Sequence, residues 1–322
     1  MNNSNPNHKD PHTPEAGGGF CDLRTGACGE AEDSGIEAFE FVPPAAKITL
    51  YYITDPICSH CWALEPSLNR FLWQYGRHVR LHTVMGGLLP GWEGFADRAN
   101  GIGQPSDVAQ HWREVGQHSR MPIDGSLWLT DPIRSSYPPC RVFKVIQARY
   151  PGRENEFLRR AREDVFVFDR NIGEEKILIQ RLDEMGLDGR SIMEEAGTEE
   201  AQNLLEQDFA LSARLGVRGF PTIVMADDHG QAVKISGVRP LNTYIEGLER
   251  LLGRSIEPEP VPELANWMQE ELTLFAKEIE VMYDLEPKEV ESFVTRQLEP
   301  GQYGICEILD ELLIQNVREK TN

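Results

Sequence analysis

The chain has 322 residues, of which 40% are hydrophobic and 26% are charged, and its formal net charge is −20 with a sequence pI of about 4.8. This length accommodates two domains, or one domain with a large insertion. Such an acidic chain lacks the basic surface that nucleic acids and anionic membranes attract, and no stretch approaches the ~20 apolar residues of a membrane span, so we expect neither partner.

Residues 1–45 are rich in Asn, Pro, Gly and acidic residues and predict a disordered arm. The first residues are polar and lack the apolar core of a signal peptide, so we expect a cytoplasmic protein, where disulfides are catalytic or sensing. The residues between Cys21 and Cys28 are typical of a tight turn. Three interpretations stay open: a regulatory disulfide, a soft-metal site with His8 and His12, or two unpaired thiols.

Residues 47–54 form an apolar, β-rich run, and Cys58 and Cys61 follow it as a C-x-x-C motif just before a helical pattern at 62–76. Strand, C-x-x-C and helix in this order are typical of a redox dithiol. Because a helix N-terminus stabilises negative charge, we predict that Cys58 is an exposed nucleophile with a lowered pKa. Cys61, one turn further along, would be the buried resolving thiol. His60 can carry a positive charge that favours the Cys58 thiolate.

A zinc half-site is the alternative interpretation of this motif. Structural zinc requires four ligands, and the sequence has no second C-x-x-C. We therefore expect a redox dithiol with no metal and no cofactor.

The following segments predict a β-α-β unit, a helical insertion and a second half. Residues 79–85 predict a strand parallel to the first, and Pro66 predicts a kink in the helix between the two. Residues 88–211 read as a run of helices. Pro221 then opens a β-branched strand, residues 232–236 predict its returning partner, and residues 241–252 predict a final helix.

The C-terminal part begins with a proline-rich linker at 256–262. An apolar stripe from Leu264 to Met282 predicts one helix, Pro287 starts a second, and residues 305–317 predict a third. This helical appendage would pack on the core or serve as a docking module for another protein. The predicted division is therefore 1–45, 46–87, 88–211, 212–255 and 256–322.

Several of these segments resemble one known family. Residues 54–66 are similar to the D-P-x-C-x-x-C-W motif of the FrnE-like branch of the DsbA family, and residues 85–88, 121–125, 135–138 and 218–222 look like the same branch. Residues 281–291 resemble the tail of the YjbH/SpxH proteins, which are cytosolic adaptors that present the regulator Spx to the ClpXP protease. The chain departs from those adaptors by having Ser59-His60 between the cysteines where they often have Pro-Glu, and by a longer N-terminal segment with fewer histidines.

The resemblance implies an α/β, thioredoxin-like fold with a large helical insertion of the DsbA type. It also implies that Cys58 attacks a disulfide, that Cys61 resolves the mixed disulfide, and that Pro221 is cis and lies against the dithiol. Trp62, Phe220 and Thr222 would contact the substrate. We expect Cys140 and Cys306 to be buried structural residues.

Two functions follow from this resemblance. The first is a cytosolic thiol–disulfide oxidoreductase that acts on protein thiols or disulfides. The second is an adaptor that binds an Spx-like regulator for ClpXP, with the dithiol as a redox sensor.

Overall fold

The computed structural model describes residues 48–97 and 100–317, together with the backbone of residues 21–22 and 27–28. The chain divides into two compact units, Met1–Ala45 and Ala46–Asn322. In the first unit, strand β1 (Cys21–Asp22) pairs antiparallel with β2 (Ala27–Cys28), and Cys21 lies opposite Cys28. The predicted disorder of the remaining arm, and any site formed with His8 and His12, lie outside the described residues.

The second unit begins with the predicted β-α-β arrangement. Its elements are β3 (Ile48–Thr54), α1 (Ser59–Tyr75) and β4 (Val79–Met85). Strands β3 and β4 are parallel, as the sequence predicted. Helix α1 continues through Pro66.

Helices separate β4 from the next strand of the sheet, as the pattern over 88–211 predicted. They are α2 (Pro105–Ser119), α3 (Leu127–Thr130), α4 (Tyr137–Arg149), α5 (Glu154–Phe166), α6 (Glu175–Glu184), α7 (Gly189–Ala196) and α8 (Glu199–Arg214). Their buried faces share one large apolar cluster with Trp62 and Met85.

The second half follows with β5 (Thr222–Ala226), β6 (Ala232–Ser236) and α9 (Leu241–Leu252). The four strands are ordered β4-β3-β5-β6, and β5 pairs antiparallel with both β3 and β6. Alternate residues of β3 point to opposite faces, so Leu50 packs in the cluster that contains Phe71 and Tyr244, whereas Ile53 packs with Val84 and Val224. Both faces of the sheet are therefore covered.

The C-terminal segment contains both helices and strands. Its elements are α10 (Leu264–Glu270), β7 (Thr273–Phe275), α11 (Ala276–Tyr283), α12 (Val290–Gln297), β8 (Tyr303–Ile308) and β9 (Glu311–Asn316). The three strands form an antiparallel sheet in the order β7-β9-β8. The prediction of a wholly helical appendage was therefore wrong: residues 305–317 form strands, and β7 interrupts the apolar stripe that predicted one long helix.

Candidate dithiol site

The C-x-x-C motif lies where β3 passes into α1. Cys58 is the N-cap of α1, with an extended backbone conformation, and its Sγ accepts a hydrogen bond from the Cys61 N–H at 3.3 Å. The sulfur therefore faces the helix end that stabilises negative charge. The sequence predicted this placement correctly.

Burial of the two sulfurs changes their expected roles. Cys58 is only 5% exposed and Cys61 is 0% exposed. Burial, followed by the interaction with Cys61, raises the pKa of Cys58, so the predicted exposed and acidic Cys58 was wrong in the reduced protein. Burial opposes ionisation of Cys61 too, but the hydrogen bond with Cys58 and the charge of Arg162 lower its pKa. The two sulfurs therefore share one proton, and the charge of Arg162 favours a thiolate within the pair.

His60 does not supply the predicted positive charge. Its ring lies 5.4 Å from the His111 ring, centroid to centroid. Burial, and then the neighbouring His111 and His118, lower the pKa of His60. The imidazole is therefore neutral near pH 7 and contributes to the wall of the site rather than to its charge.

Asp55 supports the loop in front of the dithiol, a role that the sequence analysis missed. Its buried carboxylate accepts hydrogen bonds from the Ile57 N–H (3.0 Å), the Leu88 N–H (2.7 Å) and the Ser136 hydroxyl (2.9 Å). The Cys140 thiol also lies 3.6 Å from it. Burial raises the pKa of Asp55 despite these donors. The Asp-Pro pair before the motif was the available sequence signal.

The three residues predicted to contact a substrate lie in different environments. Trp62 is fully buried, and its Nε1–H donates to the Pro122 carbonyl at 3.0 Å. Thr222 is 1% exposed, and its hydroxyl donates to the Gly219 carbonyl at 2.8 Å. Both residues are therefore internal supports, and the structure contradicts their assignment to substrate contact.

Phe220 lies where a residue that contacts the substrate would be expected. It is half-buried and lines the same cavity as Cys58. Its peptide bond with Pro221 is cis, which confirms that prediction. Among the described residues, no hydrogen bond engages the backbone N–H or C=O of Phe220, so both groups remain available to a bound chain.

The cavity at the dithiol has a volume of about 860 Å³. Its apolar wall includes Trp92, Phe95 and Trp128, and its polar lining includes His60, His111 and Arg218. Cys58 lies on this wall, whereas Cys61 does not line the cavity. A partner that enters the cavity therefore meets the Cys58 sulfur first.

The remaining cysteines divide between core and surface. Cys140 is fully buried, as expected, and burial raises the pKa of its thiol. Cys306 is exposed on β8, so its assignment to the core was wrong. Within residues 48–97 and 100–317, no group of three or more His, Cys, Asp or Glu side chains is arranged to hold a metal. In the same part of the chain, no helix combines the length and apolar character needed to cross a bilayer.

Comparisons with known proteins place this site in a family. A model of the thioredoxin family matches residues 51–246. The ClpXP adapter protein SpxH of Halalkalibacterium halodurans is 30% identical over 266 residues, which cover 80% of this chain and 87% of that protein. SpxH of Shouchella clausii is 28% identical and covers 84% of this chain and 88% of its own length.

A solved structure shows the same fold. A protein from Nitrosomonas europaea, assigned as a protein disulfide isomerase, superposes with a TM-score of 0.53 at 20% identity and covers 70% of this chain and 99% of its own. This likeness concerns the fold alone. Together, the matched residues show that the chain belongs to the thioredoxin family and, within it, to the family of the SpxH proteins.

Proposed function

We propose that this protein is a cytoplasmic adapter of the SpxH type, which binds a regulator similar to Spx and delivers it to ClpXP. The observation that carries the proposal is the 30% identity to a ClpXP adapter protein over 80% of this chain. The adapter match covers 80% of the 322 residues, which is more residues than lie between the start of the chain and residue 246, where the thioredoxin match ends. The adapter match therefore extends beyond the thioredoxin region and into the C-terminal part.

The packing of the C-terminal segment supports an adapter. Phe275 and Leu313 are buried in the same apolar cluster as Trp62, directly behind the dithiol. Arg120 bonds Glu280 at 2.8 Å and Glu311 at 3.1 Å, which ties this segment to the helical region. A partner bound to the C-terminal segment would therefore contact a segment that shares its buried core with the redox site.

The direct test is degradation of an Spx-like regulator by purified ClpXP, with and without this protein. We expect the protein to accelerate degradation of the regulator and to leave an unrelated ClpXP substrate unaffected. Equal rates with and without the protein would remove the proposal. A variant with Cys58→Ala and Cys61→Ala separates the two roles: retained acceleration indicates a scaffold independent of the thiols, and complete loss contradicts that independence.

We infer a second activity, thiol–disulfide exchange with protein partners, from the position of Cys58 on the cavity wall. As the Cys58 sulfur attacks a partner disulfide, its proton passes to Cys61, a mixed disulfide forms and one partner thiolate leaves. Cys61 then loses its proton and attacks the Cys58 sulfur, which forms the Cys58–Cys61 disulfide and releases the second partner thiolate. Two electrons pass to the partner; one departing thiolate takes up the proton that the pair shared, and the other takes a proton from water. Two small-molecule thiols would then reduce the protein disulfide and leave as one disulfide.

Trapping tests this chemistry. A Cys61→Ser variant should accumulate mixed disulfides through Cys58, because the resolving sulfur is absent. Cys58→Ser is the matched control, since Cys61 does not line the cavity and should capture little. Equal capture by both variants, or capture by neither, would contradict a directed exchange reaction.

A further inference from the structure

Arg162 of α5 is a buried cation beside the dithiol, with a side chain only 2% exposed. Its Nη2 donates to the Thr54 Oγ1 at 2.5 Å and to the Asp55 carbonyl at 3.2 Å. Its Nη1 donates to the Glu65 carboxylate at 2.7 Å. Burying a guanidinium is costly unless it is paired, so these bonds hold the charge at one place.

Two contacts of Arg162 reach the dithiol. The Asp55 carbonyl that accepts from Arg162 also accepts from the Cys58 N–H at 3.2 Å. The guanidinium lies 5.9 Å from the centre of the Tyr52 ring, whose hydroxyl donates to the Cys61 carbonyl at 3.4 Å. The positive charge of Arg162 acts on Cys61 and also on Cys58. Tyr52 and Glu65 are the other titratable groups that face Arg162 here. The charge of Arg162 therefore favours a thiolate at the dithiol.

Buried ion pairs continue from Glu65 to the C-terminal segment. Arg159 bonds Glu65 at 2.6 Å and bonds both oxygens of Glu278, at 2.6 and 2.9 Å. Arg159 also donates to the Thr273 carbonyl at 3.1 Å. The Glu278 side chain is 0% exposed and caps the first turn of α11. An unbroken series of bonds thus joins Thr54, next to the dithiol, to α11.

We propose that Arg162 is a positioning residue that sets the redox equilibrium of Cys58 and Cys61. The ion pairs of Glu65, Arg159 and Glu278 make this equilibrium depend on the position of the C-terminal segment. The proposal rests on the thiol–disulfide chemistry proposed above. Reduction of the disulfide adds two electrons and creates a thiolate, which a nearby cation stabilises. A partner that moves α11 would therefore change the reactivity of the dithiol from a distance.

The test is equilibration of the full-length protein with reduced and oxidised glutathione. In this reaction, two glutathione thiols reduce the protein disulfide and leave one glutathione disulfide, so atoms and electrons balance. Arg162→Met should shift the equilibrium toward the protein disulfide by about tenfold, the effect of one pKa unit on the thiolate. Arg162→Lys keeps the charge and should restore most of the loss. Thiolate titration by ultraviolet absorbance should show the same order of variants.

The remote end should act in the opposite direction. Glu278→Gln removes a buried negative charge and leaves the positive charge of Arg159 less balanced. It should therefore shift the equilibrium toward the dithiol by about threefold. Glu311→Gln is the matched control, because Glu311 lies on the same segment and bonds Arg120 at 3.1 Å rather than Arg159. It should change the equilibrium by less than about twofold. A general loss of structure would not give opposite signs at the two ends.

The outcomes are separable. If Arg162→Met fails to fold, Thr54→Val replaces it, since it removes the hydroxyl with little change of shape and should shift the equilibrium toward the disulfide. If the unmodified dithiol does not exchange with glutathione, the proposed exchange chemistry and this inference both fail. If it exchanges and the Arg162, Thr54 and Glu278 variants match it within twofold, the inference alone fails.

Discussion

His60 and His111 lie at the wall of the cavity, where their ring centroids are 5.4 Å apart. The pKa of His60 is lowered by burial and then by His111, so between its folded value and about 6.5 the unfolded chain binds more protons. Stability should therefore fall as pH falls through this window. His111→Gln should raise the pKa of His60 and weaken the acid sensitivity, as followed by NMR titration of the imidazole.

His229 provides the control for this prediction, because it is exposed in the turn between β5 and β6. His229→Gln should leave the titration of His60 unchanged. If His111→Gln also leaves it unchanged, the two rings do not interact electrostatically.

Asp55 should contribute to stability through the loops that it joins. Asp55→Asn replaces one acceptor oxygen by a donor. Either the Ile57 N–H on Oδ1, or the Leu88 N–H and the Ser136 hydroxyl that share Oδ2, then lose their acceptor. A buried group left unsatisfied costs about 1–3 kcal/mol. Urea denaturation should show a loss of this size, with Asp228→Asn, an exposed residue of the β5–β6 turn, as the control. A loss no larger than that of the control would contradict the supporting role.

The site shows which features of single residues are visible in a sequence. The placement of Cys58 at a helix start could be predicted, because strand, motif and helix are contiguous. The charge state could not, because Arg162 lies far along the chain and reaches Thr54 only after α5 packs against α1. Trp62 adjoins the motif, yet its side chain faces the core rather than the cavity.

Among the secondary-structure elements, the loop after β4 packs closely against the loop before β5, and a glycine makes this contact possible. A Cβ added to Gly86, just after β4, would lie 2.3 Å from the ring of Phe220, before β5. Gly86→Ala should therefore displace Phe220 and destabilise the fold by about 1–3 kcal/mol. In a Phe220→Ala background, the same change should cost much less. Chemical denaturation of the four proteins of this cycle measures the coupling, and additive losses would contradict the contact.

The hairpin of β8 and β9 explains where prediction of elements failed. Apolar residues at Ile305, Ile308 and Leu312 are spaced by three and four, which also fits a helix face. The turn contains Leu309 and Asp310, both with positive φ, and lacks the glycine that would mark it in a sequence. Pairing with β7 then decides the outcome in favour of strands, and this long-range contact is not readable from local spacing.

At the level of the whole molecule, the C-terminal segment completes the core behind the dithiol. The ring of Phe275 contacts that of Trp62 at a centroid distance of 5.6 Å, and the Arg159 guanidinium lies 5.5 Å from the centre of the Phe275 ring. The large cluster that contains both aromatic residues also contains the buried faces of the helical region. The segment and the thioredoxin region should therefore unfold together.

Phe275→Ala tests this cooperation. Loss of a fully buried phenylalanine should cost about 3–5 kcal/mol, with one transition seen both by circular dichroism and by tryptophan fluorescence. Leu272→Ala is the control, because Leu272 lies two residues before Leu274 on the same segment and is 40% exposed. It should cost less than about 1 kcal/mol. An early, separate transition in the Phe275 variant would instead mean that the segment folds as an independent module. The series of ion pairs from Glu278 to the dithiol would then not be held in place by a shared core.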